Sequence, residues 1–287
     1  MATQLLNDSP SIRFGLLVGV GGGVPDLPNE IDIRLGDIVV SKPTKTAGGV
    51  VHHDMGKETL NGFEQTGTLN KPPAILQAAV QQLVAQHELE DSHVPLYLSK
   101  MVEKFSKMKE KYTHPGAEHD QLFATAYEHQ GGKTCTSCDS SQVVRRPPRL
   151  SSSPFIYYGM IGSTNRVVKN AAQWEKFKSG DLDIMCVEME AAGLMDFFPC
   201  LVIRDVCNYA DFHKNKKWQL YAATAAENMK EILSVIPAQE VIKIPDATSV
   251  MQIPQEWLAF LPVETPKYSI SFRIDMPIKT DLSPIQF

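Results

Sequence analysis

The residues best placed to do chemistry stand at the ends of two apolar runs. In Ile203-Arg204-Asp205-Val206-Cys207-Asn208-Tyr209-Ala210-Asp211, a run that begins at Cys200 breaks into a polar cluster. Fifteen residues upstream, Val187-Glu188-Met189-Glu190-Ala191-Ala192-Gly193 sets two carboxylates at i and i+2, where the run 184–187 turns toward a helix. An acidic group at a helix start caps free N–H groups and is favoured by the helix dipole, which accounts for one of the two. The other can accept hydrogen bonds from both hydroxyls of a vicinal diol, as in a ribose. Asn208 and Asp211 follow a strand too apolar to be exposed, where an Asn is ordinarily a turn former.

A third element is Gly19-Val20-Gly21-Gly22-Gly23-Val24-Pro25, at the end of the first apolar run. Glycines there let the backbone approach a ligand, so Gly21 and Gly22 are candidate binding positions, with a tight turn demanded by packing as the alternative. The run is not a dinucleotide fingerprint, because Pro25 stops the register before a helix can begin, and no Lys-Ser or Lys-Thr follows to make a phosphate loop. Cys135-Thr136-Ser137-Cys138 has the spacing of a metal knuckle, but no second CxxC or HxxxH follows. The histidines show no metal spacing either, so neither a metal nor an organic cofactor is expected.

These residues need a scaffold, and 287 residues suffice for a substantial core. The net charge is −5, and the strongest basic patch, 104–111, reads as a solvated helix face, which argues against nucleic acid as a partner. No apolar run reaches the ~20 residues of a membrane span, and the N-terminus lacks a signal pattern, so a cytoplasmic chain is expected. Five cysteines, an odd number, fit reduced thiols better than a disulfide framework.

Continuous apolar runs at 12–20, 33–41, 155–161, 184–187 and 200–207 read as buried strands. Helical spacing marks 74–87 (Ile75, Ala79, Leu83, Val84), 95–111, 166–178, 189–198 and 219–236, the last with Met229, Ile232, Leu233 and Ile236 on one face. Strands alternating with helices predict a three-layer α/β/α fold around a mostly parallel, mixed sheet, with the site at the carboxyl ends of its strands. One domain is expected over 10–236, interrupted by a Gly-, Pro- and Ser-rich excursion at 113–154. A C-terminal extension follows at 237–287, with one added strand near 268–274.

In their order, the glycine run, Arg34 to Ser41, Val187 to Gly193 and Val202 to Asp211 resemble the nucleoside phosphorylase and nucleosidase superfamily. The likeness is greatest to a fungal branch attached to NACHT- or ankyrin-type receptors, which carries the same His213-Lys214-Asn215-Lys216 signature. It implies cleavage of the N-glycosidic bond of a purine nucleoside, without metal or organic cofactor. Glu190 would hold the ribose hydroxyls, Met189 would pack under the sugar, and Val167 and Val168 would contact the base.

The resemblance also marks departures. Asn208 stands where purine nucleosidases carry the Asp that protonates the leaving base, with Asp205 or Asp211 as stand-ins. Leu17 and Val20 replace the Arg and Ser that hold phosphate in hexameric phosphorylases, so water is favoured over phosphate as nucleophile. The superfamily's first N-terminal elements are expected to be missing, and assembly into homo-oligomers is implied. The alternative is a nucleoside-binding sensor module that has lost catalysis.

Overall fold

The computed structural model describes residues 11–44, 47–60, 62–131, 135–165, 183–198, 200–211, 213, 216–221 and 230–247. Its centre is a sheet of six strands: β1 (Gly15–Gly23), β2 (Ile38–Ser41), β3 (Val50–His52), β6 (Ile156–Ser163), β7 (Ile184–Glu188) and β8 (Cys200–Asn208). A separate hairpin is formed by β4 (Gly56–Thr59) and β5 (Gly62–Gln65). The order in the sheet is β2-β8-β1-β7-β6-β3, and β2 also pairs with β6, so five strands close into a ring. Closure follows from the length of β6, whose first half pairs with β2 and whose second half pairs with β3 and β7. Parallel pairings (β1–β8, β2–β6, β3–β6, β6–β7) outnumber antiparallel ones (β1–β7, β2–β8), in agreement with a mixed, mostly parallel sheet.

β8 is buried from Cys200 to Cys207 because it packs on both faces. Leu201 and Ile203 join Val18, Ile38 and Val40 against the helix α1 (Ala74–His87). Cys200, Val202 and Val206 alternate to the other side and join Val39, Ile161 and Cys186. The helix presents Leu76, Ala79, Val80 and Leu83 to the sheet, at i, i+3, i+4 and i+7. Ile75 and Val84, expected in that stripe, are only half-buried, so the buried face is rotated by one position.

Several sequence expectations change. The strand expected at 33–41 begins only at Ile38, because Gly36 takes a φ of +89° and the Asp37 carboxylate accepts the Arg34 N–H at 2.6 Å, folding 34–37 into a turn. The helix expected at 95–111 is split into α2 (Val94–Lys104) and α3 (Ser106–Tyr112) by Phe105, whose backbone is non-helical at φ −122°, ψ 81°. The helix expected at 189–198 shortens to α4 (Ala192–Met195). The helix at 219–236 is described in two parts, α5 (Lys216–Tyr221) and residues 230–234. A short α6 (Ala238–Ile242) follows, and the Ala247 N–H reaches the Ile12 carbonyl at 2.7 Å. The helix expected at 166–178 and the strand near 268–274 lie outside the described residues.

The excursion is anchored by two arginines, Arg146 and Arg149. Arg149 grips Asp37 with two nitrogens, at 2.6 and 2.7 Å, and donates to the Asp32 carbonyl. Arg146 pairs with Asp120 at 2.9 Å and Asp32 at 3.1 Å and meets the Tyr209 hydroxyl. Burial tends to raise the Asp32 carboxyl, but Arg34 and Arg146 hold it below its usual range. An isolated bridge, Phe123 to Val143, closes the base of the loop. Among the described residues, no helix is long and apolar enough to cross a membrane.

Candidate functional site

One of the two carboxylates serves the helix start. Glu188 is buried, and its oxygens accept the N–H of Glu190 at 3.0 Å and of Ala191 at 3.0 and 3.2 Å. That occupies the capping function and delays α4 until Ala192, whose own N–H is taken by the Ser163 hydroxyl at 2.9 Å. Glu190 remains 43% exposed at its side chain. Burial pushes its carboxyl above the usual range and Glu188 adds to this, while Arg204 opposes both. Met189, between the two, is 45% exposed.

Arg204 is the group that sequence reasoning passed over. Its guanidinium, 3% exposed, contacts Glu188 by hydrogen bond and reaches Glu190 Oε2 at 3.1 Å. A buried carboxylate is costly unless it is paired and hydrogen-bonded, and Glu188 is both. The signal was present: an arginine in the middle of a run that is otherwise almost wholly apolar needs a buried anion.

The glycine run explains how Arg204 gets there. β1 lies between β7 and β8, with Gly19 paired to Arg204 and Gly22 opposite both Val187 and Asn208. A Cβ on Gly19 would strike the Arg204 guanidinium, and one on Gly21 would strike Cys186 Sγ and lie 3.0 Å from the Val187 carbonyl. On Gly22 it would lie 2.8 Å from the Ala210 Cβ. The bare backbone therefore lets a side chain of β8 cross β1 to the carboxylates of β7. Where a turn was expected at Gly21 and Gly22 the strand runs on to Gly23, and both glycines are buried by packing.

Asn208 closes β8. The register against β1 slips between Gly21 and Gly22, leaving Cys207 as the extra residue of a bulge that re-aims Asn208. Its Oδ1 accepts the Ala210 N–H at 2.9 Å and its Nδ2 points at Cys207 Sγ at 3.2 Å, an Asx turn with Ala210 at φ 55°. Glu188 and Asn208 thus flank one strand, about 10 Å apart across the sheet. Asp211 is turned elsewhere, its Oδ1 on the His213 N–H at 2.9 Å and its Oδ2 on His213 Nδ1 at 3.2 Å. Burial raises the Asp211 carboxyl, with His213 opposing. Asp205 is fully buried inside β8. Val167 and Val168 lie outside the described residues.

Leu17 and Val20 pack against the core and bring no anion-holding group to this strand. The Cys135 and Cys138 pair is not alone, as spacing had suggested: the fold brings His129 and His213 to it. His213 comes from far along the chain, so no local spacing could show it.

No family model matches the chain. It is 43% identical over 233 residues to a nucleotide-binding leucine-rich repeat (NLR)-like protein of Hyaloscypha variabilis. The alignment covers 81% of this chain and 22% of the relative, so the chain spans about a fifth of that protein's length. Among solved structures, a putative 5′-methylthioadenosine/S-adenosylhomocysteine nucleosidase of Borrelia burgdorferi bound to adenine is similar with a TM-score of 0.46 and 15% identity, over 82% of this chain and 74% of that one. The corresponding nucleosidase of Helicobacter pylori gives 0.45 and 15%, over 81% and 73%. The futalosine hydrolase of the same organism gives 0.42 and 16%, over 81% and 72%. These structural likenesses are slight. In sequence the chain is a relative of the matching segment of the NLR-like protein, in keeping with the fungal, receptor-associated branch of the nucleoside phosphorylase and nucleosidase superfamily that its motifs resemble.

Proposed function

We propose that this chain binds a purine nucleoside through its ribose and cleaves the N-glycosidic bond with water. One observation carries the reading: Glu188 takes over capping and the main contact with Arg204, while Glu190 meets Arg204 through Oε2 and keeps its side chain 43% exposed. A carboxylate fixed in this way is set to accept from two neighbouring hydroxyls. Arg204 opposes the upward push that burial and Glu188 give the Glu190 carboxyl, and Met189 would supply an apolar floor. Asn208, one strand beyond Gly22, would offer its amide as donor to the base.

Cleavage builds positive charge on the sugar and negative charge on the departing base. The paired carboxylates would stabilise the first, and a donor at Asn208 the second. Water is the preferred nucleophile because the strand positions that would hold phosphate are Leu17 and Val20, both apolar and packed.

A second reading, a nucleoside-binding module without turnover, is favoured by Asn208 itself. Its amide cannot release a proton, and its oxygen is committed to Ala210. Incubation of the purified chain with adenosine, inosine, guanosine and methylthioadenosine, with and without phosphate, separates the two. Free base is expected in phosphate-free buffer. Base release only with phosphate would overturn hydrolysis, and saturable binding without any release would establish the sensor reading in its place.

A further inference from the structure

We propose that His129, Cys135, Cys138 and His213 form a closed zinc site that staples the 113–154 excursion to the end of β8. His129 Nδ1 lies 3.2 Å from Cys138 Sγ and 3.9 Å from Cys135 Sγ. Donor atoms of His129, Cys138 and His213 all fall within 4.8 Å of one another. Zn–S bonds of ~2.3 Å and Zn–N bonds of ~2.0–2.1 Å at tetrahedral angles put sulfur about 3.6 Å from nitrogen, which the two observed separations bracket. Cys135, whose Sγ lies 3.9 Å from His129 Nδ1, supplies the fourth donor.

His213 is built as a ligand. It is 7% exposed, sandwiched on Phe123 with centroids 4.1 Å apart, and edge-on to His129. Its Nδ1 is engaged by Asp211 Oδ2, while Nε2 is buried with no hydrogen-bond partner. A neutral imidazole whose far nitrogen donates to a carboxylate is the usual support of a zinc-bound histidine, and here that arrangement fixes Nε2 as the metal-facing atom. An orphaned imidazole nitrogen in a dry setting costs free energy that coordination removes.

The donor set selects the ion. Two thiolates with two imidazoles suit zinc over the hard cations, and two negative sulfurs neutralise a divalent ion in a half-buried place. Binding releases the two thiol protons. Four protein ligands leave no position for substrate, so the site is structural. It joins a segment closed by the Phe123–Val143 bridge to residue 213, five residues past Asn208, and commits Asp211 to orienting His213 rather than to acid catalysis.

The test is independent of nucleoside turnover. Elemental analysis of the purified full chain should find about one zinc per chain. Cys138→Ser and His129→Ala should each lose most of it while keeping the wild-type far-ultraviolet circular dichroism. Cobalt added to the zinc-stripped chain should produce tetrahedral d–d bands and a thiolate charge-transfer band, which Cys135→Ser weakens. Stoichiometric cobalt binding without thiolate absorption would overturn the proposal. So would a refolded wild-type chain that takes up no zinc or cobalt while its circular dichroism is native.

Discussion

Asn208→Asp is expected to raise purine release at neutral pH by about two orders of magnitude, the lower end of what a general acid contributes. The change is structurally conservative. Oδ1 of Asn208 already accepts the Ala210 N–H, and an Asp oxygen would do the same. The atom replaced is Nδ2, which faces Cys207 Sγ, a thiol able to donate to the new oxygen. What the variant gains is a proton that can be given up to the departing base. Initial rates of base release from inosine and adenosine, compared at matched circular dichroism, measure the effect. A rate that is unchanged or lower would remove Asn208 from the leaving-group position.

Arg204→Met is expected to cost about 3–5 kcal/mol of folding stability, because it leaves Glu188 buried without its counter-charge. The methionine fills much of the volume, so the loss is electrostatic more than steric. Backbone N–H groups of Glu190 and Ala191 remain on Glu188, but they do not neutralise it. Glu190 also loses its only ion-pair partner among the described residues, so nucleoside affinity should fall along with stability. Urea unfolding of the single variant and of the double variant Glu188→Gln/Arg204→Met checks the cause. The double variant should be the more stable of the two, since it no longer buries an unpaired charge. A single variant within about 1 kcal/mol of wild type would show that the arginine does not hold the site together.

Much of this arrangement could be read from residue order. The continuous apolar runs of β1, β7 and β8 and the 3.6-residue stripe of α1 are strong signals because burial on both faces, or along one, leaves few alternatives. That one carboxylate would serve the helix start was legible as well, since one helix start needs one cap, but not that it would be Glu188. Other features were not. The ring closure through β2 and β6 depends on a pairing between segments far apart in sequence, and nothing local announces it. Gly36 and Asp37 broke a strand that looked continuous because a side chain reached back three residues to the backbone. The glycine run looked like a ligand turn because glycine serves equally to admit a ligand or a neighbouring side chain, and only the neighbour, Arg204, distinguishes the two. The same limit hid the meeting of Cys135 and Cys138 with His129 and His213. Composition marked 113–154 as an irregular loop, but not the arginine anchors at 146 and 149 that hold it.

Whether turnover is fast, slow or absent, the central claim is that Glu190 grips a ribose diol, and equilibrium binding tests it most directly. A purine C-nucleoside, whose carbon–carbon glycosidic bond resists cleavage, is titrated beside its 2′,3′-dideoxy counterpart into wild type and Glu190→Gln by calorimetry. Hydrogen bonds to a charged group are worth about 1.5–3 kcal/mol each, so wild type should prefer the intact diol by at least ~10-fold, and Glu190→Gln should erase most of that preference. Equal affinity of wild type for the two nucleosides, or a preference that survives in Glu190→Gln, would contradict the account.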